Sequence, residues 1–196
     1  MQRKGYTRNG MRVLGIDCGT EYTGYGIVDL CSDDVCACAP RAIGSRAEER
    51  LVCVACGAIR VSPREAMPMR LSRISLALAD LIALHRPECV AIEDVFYAVN
   101  VKSALKLGQV RGVAMLAAAS AGLEVSEYAP LSIKSAVVGY GKAEKHQVQQ
   151  MVARLLRLDE VPEPADAADA LAIAICHLHT AATLDRQRND SRAAAR

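Results

Sequence analysis

The sequence predicts an α/β fold, a mixed five-stranded sheet flanked by helices. Three observations carry the prediction. Three segments of strand character come first, beginning at Val13, Tyr22 and Leu51. Helical and strand patterns then alternate, which is the order of crossover connections. The fourth strand, Cys89-Val-Ala-Ile92, has an unbroken apolar core, as expected of a strand covered on both faces.

The first strand, Val13-Leu-Gly-Ile-Asp17, ends in a carboxylate and then in turn-forming residues. Period two places Val13, Gly15 and Asp17 on one face. Gly15 leaves that face shallow, so another element can approach the backbone closely. A tight turn is expected at Glu21–Gly24, within a second strand that spans Tyr22–Leu30. Residues 31–50 show no periodicity and read as an exposed insert in a hairpin. The third strand is Leu51–Arg60. Leu71, Ile74, Leu78, Leu81 and Ile82 recur at helical spacing, which predicts a helix over Met69–His85 that Pro87 ends.

The fourth strand, Glu88–Glu93, also terminates in a carboxylate. A helix over Val101–Ala121 carries Gly108 and Gly112, which cost helix propensity. Close packing against another element is a reason to keep them. Glu124–Tyr128 is the fifth strand. Leu131–Val138 reads as a short helix broken at Gly139-Tyr-Gly141, and Glu144–Leu158 as a longer one. The last helix is expected to run from Ala165 to Thr183. Residues 1–11 read as a flexible tail, 12–183 as one domain carrying the insert, and 184–196 as a disordered basic tail.

Hydrophobic residues make up 52% and charged residues 23% of 196, the balance of a globular domain. No apolar run reaches the length of a membrane span, and the first ten residues hold no apolar signal core. A cytoplasmic location follows, with the eight cysteines reduced. Cys53 and Cys56 have zinc-like spacing, but strand alternation sets i and i+3 on opposite faces, so no zinc is expected. A net charge of +2 implies no partner by itself. Its distribution says more. Between Tyr97 and Arg157 stand Lys102, Lys106, Arg111, Lys134, Lys142, Lys145, Arg154 and Arg157, against only Glu124, Glu127 and Glu144. A basic stretch beside an acidic site suits a phosphodiester substrate; taken alone it reads better as solvated helix faces.

Asp17 and Glu93 end two strands that can be neighbours, at the edge where α/β sheets place their sites. Asp166 and Asp169, three apart, share one face of the last helix. Singly, these acids read as turn or capping residues. Together they match the three or four convergent carboxylates of a two-metal site.

Several segments resemble one family. These are Gly15-Ile-Asp17-Cys-Gly19 with Thr23-Gly-Tyr-Gly26, and Ala91-Ile-Glu93 with Val95-Phe96 and Asn100. Ser103 to Gly112, Val137-Val-Gly139, Ala143-Glu-Lys145 and Ala165 to Ile173 continue the match. In this order they resemble the RuvC family of crossover (Holliday) junction endodeoxyribonucleases, over about Met11 to His179. Cys18 departs from the family's usual Pro, and the insert 31–50 looks longer than its usual hairpin connection.

The resemblance implies an RNase H-like fold and a homodimer that nicks a four-way DNA junction symmetrically. It implies that Asp17, Glu93, Asp166 and Asp169 bind metal, two ions of Mg²⁺ per subunit with Mn²⁺ as a substitute. Hard oxygen donors agree with those ions. It makes Lys134 and Lys145 catalytic and Phe96 a base-stacking residue, and it places Gly108 and Gly112 in the dimer interface. The basic stretch adds Lys102, Lys106, Arg111 and Lys142 as DNA contacts. The RuvA–RuvB branch-migration complex is the implied protein partner, and no membrane is involved. Three other readings stay open at this point: an actin-like ATPase, for which the chain is short; a non-catalytic DNA-binding dimer; and an RNase H-like nuclease with another substrate.

Overall fold

The computed structural model describes residues 10–32, 49–94 and 101–194. Along these the chain forms β1 (Met11–Asp17), β2 (Tyr22–Ser32), β3 (Glu49–Arg60), α1 (Met67–His85) and β4 (Cys89–Glu93). There follow α2 (Val101–Ser120), β5 (Glu124–Tyr128), α3 (Pro130–Val138), α4 (Lys145–Leu156) and α5 (Ala165–Ala194). The five strands make one sheet in the order β3-β2-β1-β4-β5. β1 pairs antiparallel with β2, and β2 with β3; β4 runs parallel to both β1 and β5. This is the expected mixed sheet, a meander extended by two crossovers.

Each face of the sheet carries its own core. α3, α4 and α5 cover the face of Val13, Val28 and Ala91, with Leu171, Ile175 and Leu178 fully buried. α1 and α2 cover the face of Leu14, Ile16 and Ile92. Among the described residues no helix is long and apolar enough to cross a membrane.

Three expectations need correction. The β1–β2 turn lies at residues 18–21, because Asp17 already pairs with Gly24 and Ile16 with Tyr25. α5 does not end at Thr183 but continues through the presumed tail to Ala194. Neither Gly nor Pro occurs after Pro164, and Ala, Arg, Leu and Gln are good helix formers, so nothing stops it. The cysteine argument fails for a physical reason. The β2–β3 register shifts between Ile27 and Val28, pairing Ala55 with Ile27 but Cys53 with Val28. Val54 is thus the extra residue of a bulge, and Cys53 and Cys56 both pack on the α5 side. Their thiols face each other, and burial, followed by that neighbour, pushes Cys53 up to about 12. Among the described residues no group of three His, Cys, Asp or Glu side chains, the carboxylates described below included, stands close enough together to hold a metal ion without rearrangement. Most of the insert, residues 33–48, lies outside the described residues, as do residues 1–9.

Candidate active site

Two glycines position the site. A β-carbon on Gly15 would lie 2.1 Å from the Ala170 carbonyl oxygen, and one on Gly24 would lie 2.0 Å from that of Asp166. α5 therefore rests directly on the backbone of β1 and β2, helped by the fully buried Ala167, Ala168, Ala170 and Ala174. The shallow face read from Gly15 is filled by this helix. Since Gly24 pairs with Asp17, Asp166 is set down beside the tip of β1. β1 and β4 are in parallel register, with Ile16 opposite Ile92, so Asp17 and Glu93 emerge side by side. Alternation directs both toward the α5 layer.

Asp17, Glu93 and Asp169 line one cleft of about 210 Å³ together with Lys134 from α3 and Lys145 from α4. Ile133, Val148 and Ile173 give it an apolar wall. Asp166 is not part of the lining, but it is close enough to act on Asp17. Burial, then Asp169, Glu93 and Asp166, push the Asp17 carboxyl up to about 7, with Lys145 opposing. Burial, then Asp169, also raises Glu93. Lys145 Nζ lies 2.6 Å from Asp169 Oδ2, and that hydrogen bond chiefly raises the ammonium pKa. A lysine and a crowd of carboxylates thus hold each other, and the acids carry more negative charge than one ammonium balances.

Of the other expected site residues, Lys102 and Lys106 lie at exposed positions of α2, outside the cleft lining, and Lys142 is exposed on the turn after α3. Arg111 is not a free cation for DNA. Its guanidinium bonds Glu127 and lies 3.4 Å from Asp94 Oδ1, with its side chain 17% exposed. It ties α2 to the ends of β4 and β5. Phe96 lies outside the described residues. A β-carbon on Gly108 or Gly112 would meet nothing within 4 Å among the described residues. Both glycines lie on the exposed side of α2 with Val101, Leu105 and Leu116.

One buried polar link escaped the sequence. His177 Nε2 lies 3.2 Å from Cys89 Sγ, and Nδ1 lies 2.9 Å from the Tyr128 hydroxyl. Tyr128 pairs with Glu93 across the β4–β5 ladder, so this link braces the strand beside the acids. Burial lowers the His177 pKa, which keeps the ring neutral. Its only sequence signal was a histidine inside the apolar stripe of α5.

The donors are all hard carboxylate oxygens, a set that suits a divalent ion of the Mg²⁺ or Mn²⁺ kind. Burial and then the neighbouring carboxylates raise Asp17, and a divalent ion bound there would favour its charged form. Carboxylates facing lysines across a cleft are equipment for phosphodiester hydrolysis, and the sheet order with α5 across it places the chain among RNase H-like nucleases.

The comparisons narrow that class. The model of the family "Crossover junction endodeoxyribonuclease RuvC" matches residues 13–177. The protein of that name from Koribacter versatilis is 63% identical over 176 residues, covering 90% of this chain and 97% of its own length. The RuvC structure from Thermus thermophilus aligns with a TM-score of 0.74 at 32% identity, over 88% of this chain and 96% of that one. The same protein in complex with Holliday junction substrate aligns with a TM-score of 0.74 at 30% identity and the same coverage. The chain belongs to the RuvC family.

Proposed function

We propose that this protein is an endonuclease that resolves four-way DNA junctions by paired, symmetric nicks. One observation carries the reading: Asp17, Glu93 and Asp169 line a single cleft together with Lys134 and Lys145, with Asp166 beside them. Family membership supplies the substrate, since the Thermus thermophilus relative is known in complex with Holliday junction DNA.

In this reading Asp17, Glu93, Asp166 and Asp169 hold two divalent ions, Mg²⁺ or Mn²⁺. When bound, such ions activate water and stabilise the leaving 3′ oxygen. Lys134 and Lys145 approach the scissile phosphate and stabilise the charge it gains. Lys145 leaves Asp169 to do so. The apolar wall of Ile133, Val148 and Ile173 leaves the charges less water on that side, which sharpens these interactions. Lys102, Lys106 and Lys142 supply backbone contacts outside the cleft, and Phe96 a stacking contact near the crossover. The open stripe of α2 around Gly108 and Gly112 pairs two subunits, and the RuvA–RuvB complex delivers the junction. Residues 12–183 form the catalytic domain.

A cleavage assay tests the reading. Labelled junction, linear duplex and RNA–DNA hybrid are offered with Mg²⁺, without metal, and to Asp17→Asn. Junction cutting should require metal and the intact acid, while the variant still binds the junction. Preferential cutting of the hybrid, or full nicking by Asp17→Asn, would sink it.

A further inference from the structure

The turn from α3 to α4 carries an aromatic ring that the fold does not use. Tyr140 is 47% exposed, yet its hydroxyl donates to Gln147 Oε1 at 2.9 Å. The same oxygen accepts the Glu144 N–H at 2.9 Å. Gln147 is therefore occupied in closing the first turn of α4, and it anchors the ring by its far end. Restraining a side chain costs rotamer freedom. A ring left half open recovers little of that by burial, so it is preorganised for something outside the chain.

The surroundings say what. Gly139, at φ +92°, caps α3 in the left-handed conformation. Gly141 packs back on α3, since a β-carbon there would lie 3.3 Å from Ser135 Oγ and 3.4 Å from Leu131 Cδ2. The turn is thus tied to the helix that carries Lys134. Its other end opens α4 with Lys145. Both lysines line the carboxylate cleft, so the turn joins two helices that each give that cleft a cation. Lys142 is exposed on it, and so is Leu131, which offers further apolar surface. Glu144 is the one acid in the turn, and its Oε2 lies 3.3 Å from His146 Nδ1. A cation next to a restrained aromatic ring is the pairing that binds single nucleotides, phosphate on the first and base on the second.

We propose that Tyr140, with Lys142 beside it, is a stacking contact for a nucleotide of the DNA strand that enters the carboxylate cleft. This rests on the reading of the cleft as a DNA-cutting site and adds a contact outside the acids and their lysines. Stacking needs only the π-face of a base, so the contact tolerates any sequence.

The chain has no tryptophan, which allows a clean optical test. Tyr140→Trp in an Asp17→Asn background is titrated with a four-way junction, with a gel-shift measurement alongside. Emission should be quenched in step with complex formation. Tyr140→Ala should weaken binding about tenfold, while Tyr140→Phe, which keeps the ring, stays within about twofold of the parent. Lys142→Gln should reduce the salt slope of binding by about one. Unchanged emission in a complex seen on the gel, with Tyr140→Ala binding as the parent does, would overturn the proposal. Equal losses for Phe and Ala would assign the contact to the hydroxyl and overturn stacking. A parent protein that retains no junction at all fails the functional reading itself, and this inference with it.

Discussion

The carbonyl oxygen of Asp166 occupies the space that a side chain on Gly24 would need: a β-carbon there would lie 2.0 Å away. Gly24 stands opposite Asp17 in the β1–β2 ladder. One missing methyl group therefore lets the helix bring its first carboxylate to the strand that bears another.

Replacing Gly24 by Ala should lift the start of α5. Overpacking typically costs about 1–3 kcal/mol, so a lower melting temperature is expected. Junction cutting should fall further than stability does, because Asp166 moves away from Asp17. Normal activity in a folded Gly24→Ala protein would show that α5 can rise without harm to the site.

Asp17 sets a pH dependence in the metal-free protein. Its folded pKa of about 7 lies above its ordinary value of 3.8, mainly through burial and then Asp169. The folded state holds the proton more tightly than the unfolded one, so this group lowers stability as pH rises from about 4 to about 7. At about 1.4 kcal/mol per pKa unit, the effect is on the order of a few kcal/mol. Asp17→Asn should therefore be more stable than the parent at pH 8, and less distinguishable from it at pH 5. Denaturant midpoints at both values check this; an equal difference at each would refute the assignment.

Arg111 should prove a brace. Arg111→Ala leaves Asp94 and Glu127, both partly exposed, without their shared cation, at a cost of about 1 kcal/mol. Junction affinity should stay close to that of the parent, because the guanidinium is already engaged. Denaturation and gel-shift curves separate the two effects. A large loss of affinity without a loss of stability would return Arg111 to the DNA surface.

Gly112 tests the association of subunits. A β-carbon there would meet nothing within 4 Å among the described residues, so Gly112→Leu should not harm an isolated subunit. It should even gain about 1 kcal/mol of helix propensity. If α2 faces its counterpart in a dimer, the added bulk shifts the protein toward monomer. Sedimentation would show this, and a cruciform plasmid would then give more nicked circles and fewer linear products. A variant that stays dimeric and still linearises the plasmid would remove α2 from the interface.

Much of this protein could be read along the chain because the signals are local. Alternation in Val13–Asp17 and the apolar run Cys89–Ile92 each report their own backbone period, as does the helical spacing of Leu171, Ile175 and Leu178. That was enough to find all five strands and the helices between and after them. It was also enough to single out Asp17, Glu93, Asp166 and Asp169, since each stands at an element's end or on one helical face. The resemblance of these segments to one family then pointed to the chemistry.

What the tertiary structure decided depends on partners far away in sequence. The bulge at Val54, which turns Cys53 to the side of Cys56, exists only in the pairing with β2. Arg111 looks like any other cation of a basic stretch until β5 delivers Glu127 to it. His177 becomes a link only when β4 and β5 supply Cys89 and Tyr128. The crowding that raises Asp17 needs β1, β4 and α5 in register at once. Residue spacing determines which face a side chain takes; hydrogen-bonded register and helix packing determine what it finds there.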